Sequence, residues 1–111
     1  RWRFVMIHSQ GQLWLVNLDP TIVSEIRKTR PAVIVSPDEL NEHLRTVIVV
    51  PLTTGRAYPF RVSTRVGGKP GVAAVDQLRT VDKRRLVKDL GTMRSPTLKK
   101  ILDTISDMFA V

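Results

Sequence analysis

Cysteine is absent from this chain of 111 residues, and histidine occurs only twice. Without cysteine there can be no disulfide framework, no thiolate metal site and no cysteine nucleophile. His8 and His43 are far apart in the sequence and lie in polar surroundings, so we expect both at the surface. Two separate imidazoles disfavour a transition-metal centre. The sequence predicts neither a metal nor another cofactor.

The chain also has no long apolar run. None approaches the roughly 20 residues that a membrane-spanning helix needs. Soon after Met6 come the polar residues His8, Ser9 and Gln10, and not the apolar core of a secretion signal. These absences predict a soluble, cytoplasmic protein without membrane contact. The length predicts one domain. We assign residues 11–111 to it and residues 1–10 to an N-terminal extension, of which residues 1–5 could be upstream or added residues.

Positive charge is in excess, with 18 Lys and Arg against 10 Asp and Glu and a formal net charge of +8. The hydrophobic fraction of 42% is enough for a core, which excludes wholesale disorder. A small, strongly basic domain points first to a polyanionic partner such as nucleic acid. Composition alone supports a binding protein and does not show an enzyme.

The apolar pattern is that of strands up to about residue 95 and that of a helix afterwards. Pro31 is expected at the first position of a strand over residues 31–35. Ser95 is expected as the N-cap of the helix, with Pro96 at its first position. The predicted apolar face of this helix carries Leu98, Ile101, Leu102, Ile105, Met108 and Phe109. We therefore predict a mostly β fold with a small barrel-like sheet and one C-terminal amphipathic helix.

Polar residues stand directly beside three predicted strands, and strand ends of a small barrel cluster in space. They are Arg30, Thr53, Thr54, Asp76, Gln77 and, just beyond, Arg79. Arginine binds phosphate in a bidentate manner, a threonine hydroxyl can donate to a phosphate oxygen, and a carboxylate can accept a proton. RNA supplies its own nucleophile, the 2′-OH, so such a set could cleave it without histidine. A plain turn at Thr53 and a structural role for Asp76 remain open on spacing alone.

Four segments in order also resemble one protein family over about residues 11–110. They are GQLWLVNLDPTIVSEIRKTRPAVIVS (11–36), VIVVPLTT (47–54), YPF (58–60) and GVAAVDQLRTVDKRRL (71–86). The family is that of the MazF/PemK (Kid) toxins of type II toxin–antitoxin systems. The resemblance implies an SH3-like β-barrel of the CcdB/Kid/MazF type with a C-terminal helix. It also implies a homodimer, and a groove that binds single-stranded RNA.

The activity that this resemblance implies is metal-independent, sequence-specific endoribonuclease cleavage that leaves a 2′,3′-cyclic phosphate and a 5′-OH. Arg30 matches the family's catalytic arginine and Thr53 its catalytic threonine. Asp76 matches the acidic residue that the PemK branch uses as base, and Glu25 matches one that is important in some members and is a second candidate for the base. A plain ion pair of Glu25 with Arg27 or Lys28 remains open. A cognate acidic, MazE-like antitoxin would block the groove, and this fits a protein of charge +8. The residues expected to contact RNA are Ser24, Lys28, Thr54, Arg56, Gln77 and Arg79.

The sequence departs from the family pattern in the first loop and near Asp76. Glycine is usual where this chain has Val23 and Lys28, and glutamine where it has Ile26. The PemK branch has an arginine at the position of Ala74 and a histidine at that of Ser24. A mechanism that depends on that arginine and histidine is therefore not expected here.

Two alternatives belong to other classes of function. A CcdB-like toxin would inhibit gyrase by binding through its C-terminal tail, but the expected Trp–Gly–Ile-like ending is not present in this sequence. A non-catalytic RNA-binding barrel would have the same composition as the enzyme, and only an activity measurement separates those two.

Overall fold

The computed structural model describes residues 7–19, 28–55 and 58–111, and these form seven strands and two α-helices. The strands are β1 (Gln12–Asn17), β2 (Thr29–Ile34), β3 (Thr46–Thr53), β4 (Arg61–Val66), β5 (Lys69–Ala74), β6 (Arg79–Asp82) and β7 (Leu86–Thr92). The helices are α1 (Asp38–His43) and α2 (Ser95–Met108). Neither helix combines the length and the apolarity needed to cross a membrane, within the residues just given.

The sheet is antiparallel and is organised around β3, the longest strand. Its order is β4-β5-β3-β2-β1-β7, and β6 pairs with β3 beside β5. The first half of β3 pairs with β6 and its last two residues pair with β5. The path ends at β4 and β7, which share no ladder, so the predicted barrel is not closed by hydrogen bonds. The predicted class, mostly β with a C-terminal helix, is confirmed.

Two hydrophobic clusters lie on opposite faces of the central strands because neighbouring side chains of a strand alternate. One face carries Val33, Val50 and Leu52, which pack with Ile101 of α2. The other face carries Ala32 and Val49 together with residues of β1 and β6. The strands that these residues occupy are thus buried on both sides, which explains their nearly continuous apolar sequences.

Helix α2 covers the first cluster with the apolar stripe that the sequence predicts. Ile101 is fully buried, and the partly buried residues packed against the cluster include Leu98, Leu102, Ile105 and Met108. Two details of the prediction are wrong. Arg94 is the N-cap, and Ser95 is already helical. Phe109 is the C-cap residue and is 65% exposed, because the helix ends before its side chain reaches the core.

Strand β2 begins two residues earlier than expected, so Pro31 is its third residue and not its first. The ladder between β2 and β3 starts only at Ala32, whereas Thr29 and Arg30 pair with β1 alone. Proline cannot donate to a ladder. It is tolerated here because it lies where β2 still has only one paired neighbour.

The two histidines differ in their surroundings. His43 is exposed at the end of α1, as expected. His8 is instead half-buried against Trp14, with the ring centroids 5.5 Å apart, so the prediction of a surface position is wrong for it. Burial, with a smaller contribution from the charge of Lys83, lowers the pKa of His8.

Candidate active site

Three of the predicted site residues lie outside the described residues. They are the base candidate Glu25 and the RNA-contact candidates Ser24 and Arg56. Val23 and Ile26, two of the departures from the family pattern, lie outside as well. The roles assigned to these positions stay predictions.

Arg30 and Thr53 lie at the same end of two neighbouring strands. In the ladder between β2 and β3, the last pair is Ala32 of β2 with Pro51 of β3. Continuing this register by two residues sets Arg30 opposite Thr53, and since both steps are even, the two side chains share a face. Arg30 is exposed and Thr53 is partly exposed. The two predicted catalytic residues therefore meet at one edge of the sheet, on the face opposite α2.

A glycine of β5 allows Thr53 to take this position. Thr53 pairs with Val72, and the adjacent Gly71 lies against the Thr53 backbone. A Cβ at Gly71 would be only 2.7 Å from the Thr53 carbonyl oxygen and 2.7 Å from Val66 Cγ2. A side chain there would push β5 away from β3. The backbone of Thr53 is thus fixed by a close approach of two strands.

Asp76 is held by a residue that the sequence did not single out. It lies in a 3-10 turn after β5, and Arg61 at the start of β4 binds it in a bidentate manner. Arg61 Nε donates to Asp76 Oδ1 at 2.9 Å and Nη2 donates to Oδ2 at 3.1 Å. The hydrogen bond to Asp76 is the main cause that raises the pKa of Arg61. Paired in this way, Asp76 is a fixed acceptor with lone pairs still open to solvent.

Arg61 reaches Asp76 from β4. The PemK branch carries its arginine on the neighbouring strand, at the position of Ala74 in β5. Ala74 occupies that branch's arginine position, and in the ladder of β4 with β5 it pairs directly with Arg61. Ala74 is fully buried, and its small side chain leaves space for a long one across the ladder. The guanidinium beside Asp76 is thus supplied by β4. Only the strand register, which no local sequence pattern reports, could have revealed it.

Thr53 and Arg61 share the face that also carries Arg30. Each pairs with a residue of β5, Val72 and Ala74 respectively, and these are two positions apart. The segment after β3 passes between them. A Cβ at Gly55 would lie 3.6 Å from Thr53 Cγ2 and 3.8 Å from Arg61 Nη1. This end of the sheet thus carries Arg30 and Thr53 on the same face as Arg61, whose guanidinium is largely buried against Asp76 and Tyr58.

The remaining candidates surround this surface at different distances. Thr54 is exposed directly after Thr53, and Gln77 follows Asp76 in the same 3-10 turn. Arg79 pairs with Val49, four residues before Thr53 in β3. That separation is about 13 Å along the strand. Arg79 therefore lies farther from Thr53 than Thr54 does, and its predicted contact with RNA stays a prediction.

The backbone of Lys28, directly before β2, has a conformation that favours glycine. Its φ is +67°, in the left-handed region, at a position where the resembling family usually has glycine. Its N–H donates to Asp19 Oδ1 at 2.9 Å, and its carbonyl accepts from the Leu18 N–H at 3.0 Å. These bonds join Lys28 to the two residues that follow β1, two positions before Arg30. A lysine in this conformation is strained.

Replacing Lys28 with glycine is expected to stabilise the fold by about 0.5–1 kcal/mol, since relief of roughly 1–2 kcal/mol of left-handed strain exceeds the entropy cost of glycine. Chemical denaturation of both proteins measures the difference. Thr29→Gly is the matched control, because Thr29 is exposed in β2 and glycine in a strand is destabilising. A Lys28→Gly protein less stable than the parent would contradict the strain.

Several basic residues elsewhere are already paired with carboxylates. Arg84 Nε is 3.0 Å from Asp82 Oδ1, and Lys99 Nζ is 3.1 Å from Asp103 Oδ2. The side-chain hydrogen bond from Arg84, with a second from its backbone N–H, lowers the pKa of Asp82 to about 2. Asp82 thus keeps its charge at any physiological pH and neutralises one guanidinium there.

One cleft of the fold has a volume of about 280 Å³ and lies between β4 and β7. Its lining includes Thr64, Thr92 and Arg94, and neither Arg30 nor Thr53 belongs to it. Across residues 7–19, 28–55 and 58–111, no three His, Cys, Asp or Glu side chains are grouped to hold a metal ion. The candidate site is an open surface, which suits an extended polymer better than a small molecule.

Comparison with known proteins assigns the chain to a family. The model of the family described as PemK-like, MazF-like toxin of type II toxin–antitoxin system matches residues 9–109. Endoribonuclease PemK of Escherichia coli is 38% identical over 104 residues, covering 87% of this chain and 78% of that protein. Endoribonuclease MazF9 of Mycobacterium tuberculosis (strain ATCC 25618 / H37Rv) is 32% identical over 103 residues, covering 83% of this chain and 87% of its own length.

Solved structures of similar proteins have the same fold. MazF from Deinococcus radiodurans superposes with a TM-score of 0.83 at 24% identity, over 96% of this chain and 100% of that one. An endoribonuclease from a mycobacterial species, solved in complex with its cognate antitoxin, has a TM-score of 0.76 at 26% identity, over 93% and 95% of the two chains. With its family model matched over nearly the whole chain, this protein belongs to the PemK-like, MazF-like toxins of type II toxin–antitoxin systems.

Proposed function

We propose that this toxin is a metal-independent endoribonuclease that cleaves single-stranded mRNA at a short sequence and thereby inhibits translation and growth. The observation that carries the proposal is the common position of Arg30 and Thr53 at one accessible edge of the sheet. Two relatives above 30% identity are named endoribonucleases, which supports the same activity. Since mRNA is its substrate, the protein acts in the cytoplasm.

The proposed reaction uses the 2′-OH of the RNA as its nucleophile. The 2′-oxygen forms a bond to phosphorus while the bond from phosphorus to the 5′-oxygen breaks, leaving a 2′,3′-cyclic phosphate and a 5′-OH. A base takes the 2′-OH proton, and the leaving 5′-oxygen receives one. Arg30 stabilises the charge on the pentavalent phosphate or serves as the acid toward the 5′-oxygen, and the Thr53 hydroxyl donates to a non-bridging oxygen.

Glu25 and Asp76 are the two candidates for the base. Asp76 is a carboxylate on the same side of the fold as Arg61, and each of its oxygens accepts one hydrogen bond from that guanidinium. A carboxylate has about four lone-pair sites in total, so Asp76 keeps acceptor capacity for a 2′-OH proton. Its exposed fraction of 43% leaves it open to a bound strand. The proposal of Glu25 as the base rests only on its match to the family pattern.

The proposed partners are a second copy of the chain and an acidic antitoxin. A homodimer would extend the open surface into a groove long enough for several nucleotides. An antitoxin with an acidic, disordered segment would compete with RNA for the same surface, because both are polyanions and the toxin carries a charge of +8. A similar endoribonuclease from a mycobacterial species, whose structure was solved in complex with its cognate antitoxin, supports this kind of partner.

The proposal is tested by incubating the purified protein with a long, weakly structured RNA in EDTA. We expect discrete fragments with 5′-OH and 2′,3′-cyclic phosphate ends, which end-mapping identifies. The matched control is an oligonucleotide spanning a mapped site with a single 2′-deoxynucleotide in place of the attacking one. Cleavage of this control, cleavage that needs a divalent metal, or RNA left intact would each overturn the proposed chemistry. Intact but tightly bound RNA would instead favour the non-catalytic binder.

A further inference from the structure

Tyr58 is the single tyrosine of the chain and is exposed beside the candidate active site. Its ring lies against the guanidinium of Arg61, whose Cζ is 4.9 Å from the ring centroid. The residue is nevertheless 57% exposed. One face of the ring is thus covered by a cation, and the opposite face is open to solvent.

The cation beneath the ring is itself fixed. Arg61 has a side chain only 12% exposed and makes two hydrogen bonds, of 2.9 and 3.1 Å, to the carboxylate of Asp76. A bidentate pair restricts the guanidinium to one plane. Tyr58 and Arg61 therefore form a stack of two layers, and Asp76, in the 3-10 turn that follows β5, holds the guanidinium layer from its edge.

The backbone also holds the ring in place. The Arg61 N–H donates to the Tyr58 carbonyl at 3.0 Å and closes a tight turn. Within this turn Phe60 has a φ of +63°, a left-handed conformation that is unfavourable for a bulky residue. The strain is offset by the ladder of β4 that begins at the next residue. The turn therefore holds the open face of Tyr58 in a defined orientation.

We propose that this stack is a platform on which one nucleobase of the bound RNA lies against the open face of Tyr58. The inference rests on the proposed function and adds a subsite to it. Arg61 shares a face of the sheet with Thr53, and Gly55 lies between the two. A base stacked on Tyr58 is thus close enough to the reacting phosphate to belong to the same short stretch of RNA.

The chemistry of the stack suits an unpaired base better than other ligands. Single-stranded nucleic acid is commonly bound by aromatic rings that stack on successive bases while cations follow its phosphates. Stacking tolerates any base because every base has a π-face. Tyr58 therefore contributes affinity and position at one nucleotide, and the reading of the base sequence is left to hydrogen-bonding groups.

The test is an abasic scan with a short RNA that carries a 2′-deoxynucleotide at the cleavage site and so cannot react. One base of the RNA is removed at a time, and the dissociation constant of each RNA is measured. Each measurement is made with the full-length parent toxin, with Tyr58→Ala and with Tyr58→Phe. Loss of one base stacked on an aromatic residue weakens binding by about tenfold or more. We expect Tyr58→Ala to weaken binding about tenfold, and Tyr58→Phe to bind like the parent.

The scan separates a stacking subsite from a general loss of structure. In the parent and in Tyr58→Phe, one position should lose about tenfold in affinity when its base is removed, and in Tyr58→Ala that position should lose nothing. A uniform change at all positions, an unchanged affinity of Tyr58→Ala, or a parent that does not bind this RNA overturns the subsite. Binding is measured apart from cleavage, and if the parent leaves RNA uncut, the scan is run on the unmodified oligonucleotide. The same pattern there refutes the proposed enzyme and leaves the subsite standing.

Discussion

Replacement of Arg30 with alanine is expected to lower the rate of RNA cleavage by about 10³-fold or more, because arginines that stabilise a phosphoryl-transfer transition state have effects of that size. Continuing the register of β2 on β3 puts Arg30 on the same face and at the same edge as Thr53, where the proposed reaction places the phosphate. The planar donors of the guanidinium match two phosphate oxygens at once. The measurement is kcat/KM on a short RNA that contains one mapped cleavage site.

The variant is expected to fold, since Arg30 is exposed and its strand keeps its register through Ala32 and Val33. Arg65→Ala is the matched control. Arg65 is also exposed, but it lies near the far end of β4, where its side chain donates to the Gly68 carbonyl. Both variants lose one positive charge, so a purely electrostatic loss of RNA affinity would affect them alike. An Arg30→Ala protein that cleaves as fast as Arg65→Ala would remove Arg30 from the mechanism.

Arg30 and Thr53 could be predicted from the sequence because each adjoins a strongly apolar strand. Strand ends are visible in the apolar pattern, and the family resemblance adds their chemistry. Their opposition follows from the register of β2 on β3, which the apolar positions of both strands largely determine. The class of fold could be predicted for the same reason, because the apolar pattern shows the strands and the last helix.

The pairing of Arg61 with Asp76 could not be predicted in this way. The two residues are 15 positions apart and meet only because β4 and β5 form a hairpin in one particular register. Gly67 and Gly68, both at positive φ, set that register by allowing a two-residue turn. A shift of the hairpin would have paired Ala74 with another residue, so the guanidinium at Asp76 is a tertiary property.

The open edge of the sheet was not visible in the sequence either. Strand-like runs of similar length do not tell whether the two end strands of the sheet, β4 and β7, pair with each other. Here the helix α2 packs on β4 and the first cluster, and the cleft between β4 and β7 stays unpaired. Ser95 was misplaced for a local reason, since Arg94 takes the extended conformation of an N-cap although its side chain makes no capping bond.

Thr53→Val is expected to lower kcat by about 10²-fold, the loss typical when one donor to a transition-state oxygen is removed. Valine has the shape of threonine without its hydroxyl, and valine is well tolerated at the end of a strand. The close packing of the Thr53 methyl near Gly55 would therefore be retained. Because the hydroxyl serves the phosphate as its charge develops, we expect the loss in kcat and little change in KM.

Thr53→Ser is the matched control, since it keeps the hydroxyl and removes only the methyl group. We expect it to retain most of the activity, and equal losses in both variants would show that the methyl packing, and not the hydroxyl, is what matters. Combining Thr53→Val with Arg30→Ala adds a sharper measurement. If both groups act on one phosphate, the loss in the double variant should be smaller than the product of the single losses. Fully multiplicative losses would place the two groups in independent roles and contradict a shared site at this edge of the sheet.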